Sequence, residues 1–142
     1  MLEQLRETLS ALNWKDGEQP PVVDFAQYFE GNAEQECIAP NQWGEGRPSI
    51  ENLYERFQEI SKYATVERVL VGLHSDWNHD DYHDGFPPAE NVYIFTTAGK
   101  AEVESWLLGM HTDGILKGWP YGKPKSAPDP SKGYTVYAVC WD

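Results

Sequence analysis

The sequence predicts an α+β domain spanning residues 1–142, with a small, largely antiparallel sheet of about three to four strands packed against helices. Three observations carry that reading. Helical apolar spacing dominates the first part of the chain. β-branched or alternating apolar runs come later, at 66–73, 91–97 and 134–141. Strands and helices do not alternate regularly, which argues against a doubly wound parallel sheet.

Residues 2–13 read as a helix, with Leu2, Leu5, Leu9 and Leu12 recurring at helical spacing. Asp16-Gly17 and Pro20-Pro21 end it. Residues 24–30 read as a short second helix: Asp24 caps it, Phe25, Tyr28 and Phe29 form its apolar face, and Gly31 stops it. Residues 31–48, with Pro40 and Pro48, lack periodicity and read as loop, with Trp43 as its anchor.

The clearest helix is 50–63. Ser49 caps it, Glu51 sits in the first turn where the helix dipole favours a carboxylate, and Ile50, Leu53, Tyr54, Phe57 and Ile60 form one stripe. Residues 66–73 and 91–97 read as strands, and the connection between them runs for about seventeen residues. A connection of that length in a small domain tends to carry function. Residues 99–109 read as a helix with Val103, Trp106, Leu107 and Met110 on one side. Residues 114–118 suit a short strand, 119–133 an extended Pro- and Gly-containing loop, and 134–141 the last strand.

Composition narrows the function classes. Six Trp and eight Tyr in 142 residues argue against disorder. No apolar run approaches the length of a membrane span, and the chain opens on an amphipathic helix instead of a charged-then-apolar leader. Cys37 and Cys140 are far apart with no CxxC, which points to two reduced thiols and a cytoplasmic setting. The net charge is -12, and residues 1–90 hold eighteen of the twenty-three acids but six of the eleven bases. Such a field repels nucleic-acid phosphate and anionic membrane and attracts cations or basic proteins.

The connection His74-Ser75-Asp76-Trp77-Asn78-His79-Asp80-Asp81-Tyr82-His83-Asp84-Gly85 is the densest chemistry in the chain, with three of its four histidines and no lysine or arginine. Two functional readings compete with the plain one of a solvated acidic loop. In the first, Asp76, Asp80, Asp81 and Asp84 pair with a cationic protein surface while Trp77, Tyr82, Trp119 and Tyr121 add aromatic contact area. The chain would then be a non-enzymatic protein-binding module needing no cofactor. In being small, acidic and cytosolic it resembles bacterial toxin-neutralising immunity proteins in general character, without sharing a motif with them.

In the second reading, His74, His79 and His83 hold a divalent metal, zinc foremost. Asp76, Asp80 or Asp84 then completes the shell or acts as the base of a metal-dependent hydrolase. An EF-hand is excluded, because Asp81 replaces the required Gly and Pro87 the closing Glu.

Other candidates are weaker. His111 after the fourth helix reads as a helix stop with dipole-favoured charge. Thr97-Ala98-Gly99-Lys100 fails as a P-loop, since Ile94 and Ala101 stand where Gly and Ser/Thr belong; Thr97 as a helix cap accounts for it. The basic stretch 117–125 interleaves Trp119 and Tyr121 with lysines, but the overall charge opposes nucleic-acid binding. Tryptophans on loops also commonly pin the loop to the core, a role open to Trp43, Trp77 and Trp119.

Overall fold

The computed structural model describes residues 2–40, 47–82 and 84–141. Trp43 and His83 lie outside the described residues. The elements are α1 (Leu2–Ala11), β1 (Val22–Asp24), α2 (Phe25–Phe29), α3 (Ile50–Ser61), β2 (Val66–Leu73), β3 (Ala89–Thr96), α4 (Lys100–Trp106), β4 (Gly114–Lys117) and β5 (Thr135–Cys140). A short 3-10 turn, Asp80–Tyr82, interrupts the β2–β3 connection.

The strands form one antiparallel sheet in the order β1-β2-β3-β5-β4, so the fold is α+β. It has five strands where sequence predicts three to four. The extra one, β1, is three residues long and carries no periodic signal. It exists because it pairs with β2, Val22 opposite Gly72 and Asp24 opposite Leu70.

Local signals set most helix ends. The Asp24 carboxylate accepts the Ala26 N–H at the start of α2, and the Ser49 hydroxyl accepts the Asn52 N–H at the start of α3. α4 departs from expectation at both ends. Gly99, not Thr97, is its cap, and the helix stops at Trp106 instead of continuing to 109. There Arg56 from α3 donates to the carbonyls of Trp106 (2.7 Å) and Leu108 (3.0 Å), a tertiary contact that sequence periodicity does not contain.

The sheet is buried on both faces, which explains why its strands read as continuous apolar runs. On one face Val69, Val71, Val92, Ile94 and Val139 pack under the helices, against Leu5, Phe29, Phe57, Ile60 and Val103. On the other, Leu70, Tyr93, Phe95, Val136 and Ala138 alternate with them and are covered by the 118–133 segment, through Trp119 and Ala127. Trp119 is 4.6 Å from Tyr93 and 5.9 Å from Phe95, ring centre to ring centre. Among the described residues no helix is long and apolar enough to cross a membrane.

Candidate functional site

The β2–β3 connection is pinned at both ends, and most of its described residues between them, Trp77 excepted, are exposed. At its start the His74 N–H reaches the Pro88 carbonyl at 2.8 Å, extending the strand pairing by one rung. Three successive turns follow, closed by Trp77 N–H to His74 O, His79 N–H to Asp76 O and Tyr82 N–H to His79 O. At its far end Phe86 is buried. The Glu34 carboxylate accepts the Phe86 N–H at 3.0 Å, and the Tyr28 hydroxyl donates to the Pro87 carbonyl at 2.6 Å. Tyr28 is fully buried, and desolvation pushes its phenol well above the ordinary range, so it remains a neutral donor.

Between these anchors the carboxylates of Asp76, Asp80, Asp81 and Asp84 are exposed. Two belong to local turns with histidine. The Asp76 N–H donates to His74 Nδ1 at 3.0 Å, and the Asp76 carboxylate lies 3.8 Å from that nitrogen. Two links on, the Asp81 N–H donates to His79 Nδ1 at 3.2 Å, with the carboxylate at 3.3 Å. Each Nδ1 therefore serves as an acceptor, which assigns the ring proton to Nε2 in the neutral form. His74 Nε2 lies 3.7 Å from the Glu90 carboxylate. His74 is largely enclosed while the His79 side chain is 60% exposed.

Of the metal shell expected of His74, His79 and His83, two members lie among the described residues. His74 and His79 are each engaged by their own turn, His83 lies outside the described residues, and among those residues no three His, Cys, Asp or Glu side chains converge as a cation would need.

Trp77 takes the pinning role instead of the contact role. Its side chain is buried and meets Trp14 edge to face at 5.1 Å. Its indole N–H is buried without a hydrogen-bond partner among the described residues. Trp119 is likewise committed to the second face of the sheet, leaving Tyr82 (38% exposed) and Tyr121 (55%) as the aromatic surface among the expected contact residues. Of the C-terminal lysines, Lys123 pairs with Asp129 at 3.5 Å and Lys125 with Glu18 at 2.5 Å.

Next to the exposed acids lies a groove of about 630 Å³ that sequence reading does not anticipate. Arg6, Asn13 and Trp14 form the α1 side, and Trp77, Asn78 and Tyr82 the connection side. Nothing in the sequence links Trp14, which follows α1, to Trp77. Their pairing is a product of the tertiary fold.

A family model, YfbO, described as the Uncharacterized protein YfbO family, matches residues 1–139. The chain belongs to the YfbO family. No curated protein and no solved structure matches it. The matched span takes in the helices, the acidic connection and all of the sheet but Cys140, the last residue of β5.

Proposed function

We propose that this protein is a non-enzymatic, cytoplasmic binding module that takes a basic protein partner on the β2–β3 connection and the groove beside it. One observation carries the reading: four exposed aspartates within nine residues belong to the same connection whose Trp77, Asn78 and Tyr82 line a concave, aromatic surface. Exposed carboxylates alone steer a partner and contribute little affinity, because water and salt screen them. Aromatic area in an adjoining groove supplies the desolvated contact that interfaces use as anchors.

The groove is not uniformly acidic. Arg6 lies on its α1 wall. A polypeptide partner suits this mix, since its cationic side chains face the aspartates and its backbone carbonyls present acceptors to donors on the groove wall. Two free, buried thiols fit a reducing compartment.

The test is amide and indole NMR on the labelled protein, titrated with a lysine- and arginine-rich peptide containing one central aromatic residue. The reading expects shifts confined to residues 76–84, the Trp14 and Trp77 indoles and the facing side of α1. Shifts absent, or scattered over the rest of the surface, overturn it.

A further inference from the structure

We propose that a second cavity, on the helix-free side of the sheet, is a binding site for a small organic ammonium ion held by Glu90 and two tyrosine rings. The cavity has a volume of about 320 Å³ and lies between the ends of β2 and β3 and the 121–124 turn, with Ser75, Glu90, Asn91, Tyr93 and Tyr121 on its walls. Its size is that of a site for a small molecule, not for a macromolecular surface.

The backbone is specially shaped at this point. Gly72 pairs with Asn91 and Leu73 with Ala89, so Glu90 is the extra residue of a β-bulge. Bulges redirect side chains and recur beside functional sites. The bulge is held from both sides, because the Trp141 N–H donates to the Glu90 carbonyl at 3.0 Å while the Glu90 carboxylate lies 3.7 Å from His74 Nε2. The floor is equally specific. A Cβ on Gly72 would sit 2.7 Å from the Tyr93 ring, so only glycine there lets the ring lie against the strand. At the rim, Gly122 at φ +93° closes a turn onto the Trp119 carbonyl at 3.0 Å and fixes the position of Tyr121.

The chemistry of the lining selects the ligand. Among the described lining residues Glu90 is the one carboxylate, and the other polar side chains are hydroxyls and the amides of Gln19 and Asn91. Among the described lining residues there is no lysine or arginine. Lys123 and Lys125, the nearest cations in sequence, are directed to Asp129 with the Ala127 carbonyl and to Glu18. Burial keeps the Tyr93 phenol neutral across the physiological range. A carboxylate set beside two phenol rings matches an organic cation through charge and cation–π attraction together, and a metal ion would find too few anionic oxygens.

The experiment titrates the labelled protein with tetramethylammonium and n-butylammonium chlorides, against sodium chloride at matched ionic strength. The reporters are the Asn91 side-chain amide and the Tyr121 and Gly122 backbone amides. We expect saturable shifts with at least one ammonium salt and none with sodium. Glu90→Gln should weaken binding about tenfold, which corresponds to about 1.4 kcal/mol. Tyr121→Ala, at an exposed position, should weaken it several-fold while the rest of the spectrum is unchanged. No saturable shift with either ammonium, equal shifts with sodium, or full affinity in both variants overturns the proposal. The aspartates of the β2–β3 connection take no part in this site, so its failure leaves the reading of that connection standing.

Discussion

The indole rings of Trp14 and Trp77 meet edge to face at 70°, 5.1 Å between centres, and join the segment after α1 to the first turns of the acidic connection. One tryptophan arrives from the segment that follows α1 and the other from the loop between two central strands. Their contact is what turns an otherwise ordinary loop into one wall of a groove.

Trp77 therefore has a stability role that separates into two parts. Trp77→Ala removes a buried aromatic and should cost about 3–5 kcal/mol. Trp77→Phe keeps most of the ring contact and deletes an N–H that is buried without a partner among the described residues, a group whose desolvation costs about 1–3 kcal/mol. We expect the Phe variant to lie within about 1 kcal/mol of the parent, because the lost area and the relieved donor offset each other. Urea unfolding of both variants checks this, and equal losses in the two would show that the N–H is satisfied in solution.

Gly72→Ala tests the close approach of Tyr93. The added methyl meets the ring at 2.7 Å in a sheet covered on both faces, so the strand or the ring must move. Overpacking of this kind costs about 1–3 kcal/mol. In a domain of this size each kcal/mol lowers Tm by about 2–4 °C. An unchanged melting temperature would mean that the ring swings aside freely.

Acid sensitivity should come in part from two surface carboxylates. A hydrogen bond from Lys125, then from the Lys15 N–H, holds the Glu18 carboxyl below its ordinary value, and the Ser131 N–H does the same for Glu67. A folded pKa below the unfolded one contributes stability above the ordinary value of 4.5, which is lost as pH falls through the folded value. The Tm difference between the parent and Glu18→Gln should therefore be constant from neutral pH to about 5 and shrink below 4.5. A difference that persists in acid would assign the effect to packing.

The two thiols should be inert in the native state. Burial raises the Cys37 thiol above its usual range and pushes Cys140 up to about 11, so little thiolate exists near neutrality and neither sulfur is open to reagent. A colorimetric thiol reagent at pH 8 should react with neither until denaturant is added. Rapid titration of one thiol in native buffer would place that cysteine at the surface.

Much of this fold was legible in the sequence for identifiable reasons. The strand 66–73 and the helix from Ile50 announce themselves through β-branched density and a capped apolar stripe; the strand is present as read, and the helix starts at Ile50 but ends at Ser61 instead of 63. β1 was not legible, since three residues after a Pro-Pro pair carry no period and only the β2 partner makes them a strand. The acidic connection could be located but not shaped. Nothing in its residue order distinguishes a tryptophan facing solvent from one paired with Trp14, or a histidine free to coordinate from one accepting its own turn's N–H. The bulge at Glu90 was equally hidden, because it exists only in the register between two strands.

The central claim is that the exposed aspartates of the β2–β3 connection recognise a basic partner as a local surface and not merely as part of the net charge. The most direct measurement compares two variants carrying the same change in charge: Asp76, Asp80, Asp81 and Asp84 all to Asn, and the exposed Glu30, Glu55, Glu102 and Glu104 all to Gln. Affinity for the basic, aromatic-containing peptide is measured near 0.15 M salt, where separated charges are screened over about 8 Å. The account predicts at least about a tenfold loss for the aspartate variant and near-parental binding for the glutamate variant, with parental affinity falling as salt rises. Equal losses in the two variants, or none in the aspartate variant, would contradict it.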